Sequence, residues 1–247
     1  MKINISETPD ELGKNAATHC AEIIAKAITE KGKARIALST GASQFDTLKA
    51  LIEMNIDWGK VEMFHLDEYI GLPESHPASF RKYLKERFLS KVNIGQAYLV
   101  NGEDDPLKVI ACLTSEIRKA PIDLGIIGIG ENAHVAFNDP PADFETQEAY
   151  ICVTLNETCK QQQVREGWFE KIVDVPKQAI SMSVHQIMLC RQIVSCVPYI
   201  VKANAIKDTM ENLPTNSIPA TILKTHPHWT LYLDKDSASL LDSDITK

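Results

Sequence analysis

Ile122-Asp-Leu-Gly-Ile-Ile-Gly-Ile129 is the run on which the fold turns. It is almost wholly apolar, with isoleucine at 122, 126, 127 and 129. Polar and apolar residues do not alternate, so neither face of the segment is meant for water. Eight residues of this kind read as a strand buried on both faces, the signature of a central strand in a parallel sheet. Outward in both directions, strand-like and helical stretches alternate. Arg35–Leu38, Val61–Leu66, Ala179–Met182, Ile193–Val197 and Trp229–Leu233 are short β-prone runs. Between residues 10 and 30, Leu12, Ala16, Ala17, Cys20, Ile23, Ile24, Ala27 and Ile28 recur at helical spacing. Ser43 is placed to cap a helix through Leu48, Leu51 and Ile52, and Ser75 with Pro77 to open one reaching about Phe88. Further helical patterns lie near 202–212 and 219–224. This order predicts one α/β domain over residues 1–247, with a mostly parallel central sheet and helices on both faces, a Rossmann-like three-layer arrangement. No internal repeat or linker interrupts it. The irregular stretch Asp139–Gln147 is the candidate mobile loop.

The composition narrows the function. The 247 residues carry 26 Lys plus Arg against 33 Asp plus Glu, a net charge of -7. Coating a nucleic acid needs the opposite balance, whereas a few local donors suffice to hold one phosphate in an acidic protein. No run of about eighteen apolar residues suggests a membrane span. Met1–Pro9 lacks the basic-then-apolar pattern of a signal peptide. The six cysteines are scattered and form no CxxC pair. They read as reduced thiols of a cytoplasmic protein rather than disulfides or a zinc site.

In open α/β sheets, ligands bind at the carboxyl ends of strands. Three such ends carry polar residues. Ser39-Thr-Gly-Ala-Ser43 offers small residues, hydroxyls and helix-end amides that could cradle a phosphate, although the P-loop pattern is absent. In Leu66-Asp-Glu-Tyr-Ile-Gly-Leu72, Asp67 and Glu68 point to opposite sides of an extended chain. One can face a pocket as a proton-transfer base while the other is a structural partner. Gly128-Ile-Gly-Glu-Asn-Ala-His-Val-Ala-Phe-Asn-Asp139 presents His134 with Asn132 and Asp139 close enough in sequence to orient its ring. The spacing matches no common zinc pattern.

Taken in order over roughly residues 35–235, these segments resemble the glucosamine-6-phosphate deaminase/isomerase family, a relative of 6-phosphogluconolactonase. The resemblance rests on Leu66-Asp-Glu-Tyr-Ile-Gly-Leu-Pro73 with His76-Pro-x-Ser79-Phe80, and on Gly-Ile-Gly-x-Asn-x-His-Val-Ala-Phe-Asn-Asp-Pro140. Leu38–Ser43, Lys202-Ala203 and Ile222–Pro227 add to it. It implies conversion of glucosamine 6-phosphate and water to fructose 6-phosphate and ammonium. Asp67 would move a proton between C2 and C1 of the opened sugar, and His134, with Asn132 and Asp139, would assist ring opening. Thr40, Gly41, Ala42, Ser43, Glu68, Gly130, Arg165 and Lys202 form the expected substrate-binding set. No cofactor or metal is expected, because the carbonyl exposed on ring opening acidifies the C2 proton.

The chain departs from the commonest pattern of that family. Asn132 stands where many members have Asp, Asp139 where many have Glu, and Ala133 where Gly is usual. The phosphate-binding arginine has no clean counterpart, and Arg165, in Gln161–Phe169, takes its place. A galactosamine 6-phosphate substrate, a 6-phosphogluconolactonase activity and a non-catalytic sugar-phosphate sensor are the rival readings. Among partners the sequence points to a small-molecule sugar phosphate, not nucleic acid or membrane, and leaves a homo-oligomer open.

Overall fold

The computed structural model describes residues 1–242. Ten strands and seven α-helices follow one another as β1 (Lys2–Ser6), α1 (Pro9–Lys31), β2 (Ala34–Leu38), α2 (Phe45–Ile52), β3 (Val61–His65), β4 (Asp67–Tyr69), α3 (Phe80–Leu84), β5 (Gln96–Tyr98), α4 (Pro106–Ile117), β6 (Leu124–Ile126), β7 (Tyr150–Thr154), α5 (Glu157–Arg165), β8 (Gln178–Met182), α6 (Val184–Met188), β9 (Gln192–Val197), α7 (Ala203–Glu211) and β10 (Trp229–Asp234). Seven strands form one sheet in the order β1-β10-β9-β6-β2-β3-β5, and β6 is its middle strand. Every pairing in this sheet is parallel. The isoleucine-rich run is therefore central, as read from its composition, although the regular strand is confined to Leu124–Ile126.

Alternate residues of the central strands enter two separate cores. On β2, Ile36 and Leu38 pack with α1 and α2 residues such as Leu12, Ile24 and Leu48. Ala37 faces the other way, into a core shared with Val109 and Leu113 of α4 and Ile206 of α7. β9 divides likewise, with Val194 and Cys196 on the first side and Ile193 and Val197 on the second. The sheet is thus covered on both faces, as a parallel sheet requires. Thr8 caps α1 by accepting from the Glu11 amide, Pro9 opens the helix, and Gly32 ends it at φ 78°. This is the polar cap, proline and left-handed glycine arrangement of a well-bounded helix.

Several sequence expectations need correction. Ala179–Met182 is a strand, but it belongs to a second, three-stranded antiparallel sheet in the order β4-β8-β7. Ser43 caps no helix: it lies within a 3₁₀ turn, and Gln44 precedes α2 without a side-chain capping bond. The helix read from Ser75 begins only at Phe80, where Ser79 accepts from the Lys82 amide, and it continues as one π-helical turn over Lys85–Leu89. Residues 219–225 form a 3₁₀ helix. Strands β1, β4, β5 and β7 were not read from the sequence. Among the described residues no helix is long and apolar enough to cross a membrane.

Candidate active site

A cleft of about 330 Å³ opens at the carboxyl ends of the parallel strands. The turn after β2 (Ser39–Ser43), the loop after β6 (Gly128–His134) and the turn after β9 (Tyr199–Lys202) border it. Asp67, just beyond β3, and residues of α5 complete the wall. The strand-end argument therefore brings together Thr40, Gly41, Ala42, Ser43, Asp67, Gly130 and His134, and Arg165 and Lys202, expected from the family resemblance, join them, whereas Asn132 and Asp139 lie behind the cleft wall.

Asp67 and Glu68 separate as alternation on a strand demands. Asp67 is nearly buried yet lines the cleft. Burial, then the charge of Glu68, pushes its carboxyl up to about 8, against a smaller opposing contribution from the Phe137 amide. Glu68 corrects the expectation of a substrate contact. It is fully buried and lies outside the cleft wall. Its oxygens accept from the amides of Tyr69 (3.0 Å), Phe80 (3.2 Å) and Arg81 (2.9 Å) and from the Ser79 hydroxyl (2.8 Å). The Arg81 guanidinium lies 3.4 Å away. Burial raises the Glu68 carboxyl and these donors oppose it. The His76-to-Phe80 motif thus serves to seat Glu68 at the start of α3.

The loop after β6 builds a relay. His134 Nδ1 donates to Asn132 Oδ1 at 2.6 Å, and Asn132 Nδ2 donates to Asp139 Oδ1 at 3.1 Å. That Asp139 oxygen lies 3.3 Å from His134 Nδ1, so the short arm does reach the imidazole. Burial alone would raise the Asp139 carboxyl; its contacts with His134 and Asn132 hold it below the usual value. With Nδ1 engaged, Nε2 is the ring nitrogen left without a partner among the described residues, and the ring lines the cleft. Gly130 makes room for that ring: a Cβ there would sit 2.1–2.4 Å from its atoms. Ala133 adopts φ 61°, so the turn does require the left-handed conformation that glycine takes freely.

One residue ties the segment beside the relay to Asp67. Ser181 of β8 is the antiparallel partner of Asp67. Its Oγ accepts from the Phe137 amide (3.1 Å) and from Asn138 Nδ2 (3.3 Å). Asn138 Nδ2 also donates to the Met182 carbonyl at 2.9 Å.

Lys202 is buried, lines the cleft and makes no ion pair or side-chain hydrogen bond among the described residues. Burial lowers its pKa, and the charges of Glu166 and Glu131 oppose that. Tyr199, at φ 81°, turns the chain so that Lys202 faces inward, and it is held by Asp234 and Asp46. Arg165 ends α5 and is paired with Glu131 at 2.5 Å, while its side chain remains half-exposed. The Ser39 hydroxyl accepts from the Gly128 amide at 3.2 Å, joining the turns after β2 and β6.

Sequence reasoning missed Gln162, Gln163, Glu166 and Trp168, which all line the cleft. Gln162 donates to Glu166 at 2.7 Å, Trp168 Nε1 to the other Glu166 oxygen at 3.0 Å, and the Tyr69 hydroxyl to Gln163 Oε1 at 2.7 Å. No local signal marks them: α5 has scarcely an apolar residue and reads as a solvated helix face. Among the described residues, no group of three or more His, Cys, Asp or Glu side chains is arranged to hold a metal ion.

Residues 7–232 match the family model described as glucosamine-6-phosphate isomerases/6-phosphogluconolactonase. A protein of Thermoanaerobacter pseudethanolicus named glucosamine-6-phosphate deaminase is 37% identical over 254 residues, covering 99% of this chain and 97% of the relative. One of the same name from Oenococcus oeni is 34% identical over 242 residues, covering 98% and 99%. The solved structure of a monomeric glucosamine-6-phosphate deaminase superposes with a TM-score of 0.88 at 30% identity, over 97% of this chain and 100% of that one. The 6-phosphogluconolactonase of Trypanosoma brucei, at 16% identity and a TM-score of 0.80 over 98% of each chain, shares the fold.

Proposed function

This chain belongs to the glucosamine-6-phosphate isomerase/6-phosphogluconolactonase family, and from that premise we propose that it converts glucosamine 6-phosphate and water into fructose 6-phosphate and ammonium. The observation that carries the reading is Asp67. It is a cleft-lining carboxyl whose pKa stands near 8, and it shares one cavity with His134, whose ring Asn132 and Asp139 hold from behind.

The turn Thr40–Ser43 and the unpaired Lys202 receive the phosphate, with Arg165 at the rim released from Glu131. His134 Nε2 then takes the proton of the C1 hydroxyl and passes it to the ring oxygen as the bond from C1 to that oxygen breaks; Asn132 and Asp139 hold the ring in place through Nδ1. The opened aldehyde acidifies the C2 proton. Ionised Asp67 takes that proton and returns it to C1, leaving an imine at C2 that water hydrolyses with loss of ammonium. A carboxylate whose conjugate acid titrates near 8 is a far stronger base than an ordinary aspartate, which suits a carbon acid. Such positioned acid–base catalysis is worth roughly 10²–10⁴-fold. The six cysteines, none in a disulfide and most of them buried, suit a reducing cytoplasm.

The test is incubation of the purified protein with glucosamine 6-phosphate, galactosamine 6-phosphate and 6-phosphogluconolactone, measuring ammonium, ketose phosphate and acid. Ammonium and ketose phosphate from the first are expected. Turnover of the lactone alone, or tight binding without turnover of any, overturns the proposal. Asp67→Asn should abolish exchange of the C2 proton with solvent while the substrate still binds; undiminished exchange removes Asp67 from the base role.

A further inference from the structure

We propose that Gln163 is a specificity-determining residue that donates a hydrogen bond to a hydroxyl group of the sugar, and that Tyr69 is the positioning residue that aims it. The inference rests on the proposed amino-sugar phosphate reaction and assigns a part of the cleft that the reaction scheme leaves without a role.

Gln163 is almost completely buried, an unusual place for an uncharged polar side chain on a helix with so little apolar character. Its amide is not free to turn. The Tyr69 hydroxyl donates to Oε1 at 2.7 Å, and an amide whose oxygen is so engaged presents its NH₂ on the other side. That NH₂ finds no acceptor among the described residues, and it is not among the buried polar atoms shut away from solvent without a partner. Since Gln163 lines the cleft, the donor opens into it. A buried, oriented, unused donor is what a site built to read a hydroxyl presents, because a ligand lacking that hydroxyl leaves the donor stranded.

Tyr69 can hold this orientation because its own ring is fixed. It packs against Phe80, Phe137 and Phe169 at centroid distances of 5.2, 5.0 and 5.5 Å. The placement also says which part of the ligand is read. Asp67 and Tyr69 are alternate residues of β4 and share one side of the strand, the side that Glu68 does not take. Gln163, held at the Tyr69 hydroxyl, therefore belongs to the Asp67 wall, where the sugar carbons must lie. The anion-binding groups, the Thr40–Ser43 turn and Lys202, come from the ends of β2 and β9. A neutral amide beside carboxylates is also suited to a hydroxyl rather than to a dianion.

The experiment compares wild type with Gln163→Met, which keeps the length and removes the donor, and Gln163→Glu, which keeps the Tyr69 contact and turns the cleft-facing group into an acceptor. Calorimetry measures binding of glucosamine 6-phosphate and of inorganic phosphate to each protein, and turnover is followed in parallel. Both variants should bind the amino-sugar phosphate about tenfold more weakly, the worth of one neutral hydrogen bond. Inorganic phosphate should shift by less than about twofold. Tyr69→Phe should raise KM in the same direction by a smaller factor, and should add nothing in the Gln163→Met background. Equal weakening for inorganic phosphate, unchanged sugar-phosphate affinity, or independent effects of the Tyr69 and Gln163 changes would each overturn the assignment. Failure of the wild type to release ammonium would instead count against the proposed reaction, and the binding ratios would still decide the role of Gln163.

Discussion

Replacing Asp67 with Asn should make the protein markedly more stable while removing its activity, and the gain should depend on pH in a defined way. In the folded chain, burial and the neighbouring Glu68 charge raise the Asp67 carboxyl from its ordinary 3.8 to about 8. Between those values the native state keeps a proton that the unfolded chain releases. Stability of the wild type therefore falls as pH rises through that window, by up to about 1.4 kcal/mol per pH unit. At pH 7 roughly three units have accumulated, a penalty of about 4 kcal/mol; above pH 8 it levels off at about 6 kcal/mol. Asn fills nearly the same volume and does not titrate. The difference between variant and wild type should be small near pH 4, grow steadily to pH 8 and then flatten. Against a typical net stability of about 5–15 kcal/mol this is a large effect. With a urea m-value of about 2–3 kcal/mol/M, the midpoint at pH 7 should rise by between one and two molar, roughly. Urea titrations of both proteins at pH 5, 6, 7 and 8.5 measure it. A difference that stays flat across this range, or a variant less stable at pH 8.5 than the wild type, would refute the electrostatic account of Asp67.

The other expectations concern its neighbours. In the wild type, kcat/KM should rise with pH as Asp67 ionises near 8; Glu68→Gln, by removing the adjacent charge, should move this limb to lower pH, and a limb that stays put or moves up contradicts the coupling. The same change breaks a buried ion pair with Arg81 and should cost about 3 kcal/mol in urea unfolding. Gly130→Ala places a Cβ 2.1–2.4 Å from the His134 ring, so kcat/KM should drop about 10²-fold with little change in the melting temperature; near-normal turnover would mean the ring need not lie where it does. Ala133→Gly relieves a left-handed alanine at φ 61°; a relief of about 1–2 kcal/mol less about 0.5–1 kcal/mol of added backbone entropy leaves a small net gain, which thermal unfolding would detect.

The parts of the fold that the sequence displayed are those governed by local pattern. The central strand announced itself by having no polar face, and α1 by a helical stripe from Leu12 to Ile28. The antiparallel sheet β4-β8-β7 did not show, because β4 has three residues and its partners lie more than eighty positions away in sequence. Nothing in Asp67-Glu-Tyr69 itself says that residue 181 will pair with it. The cleft was legible where it uses strand ends, since a glycine-rich turn after an apolar strand is a recognisable combination. It was not legible on α5. There Gln162, Gln163 and Glu166 look like a solvated helix face, and only the tertiary position of that helix over the cleft turns them inward. Glu68 and Asp67 were told apart as a pair by strand alternation, but the five donors that fix Glu68 come from α3 and from β4 itself, and the first of these required the fold.

Ser181 pairs with Asp67 through its backbone and holds the 137–138 segment through its hydroxyl. The strand that carries Asp67 and the segment that follows His134 thus meet on one residue. A change at residue 181 therefore reaches both the backbone that carries Asp67 and the segment that follows His134.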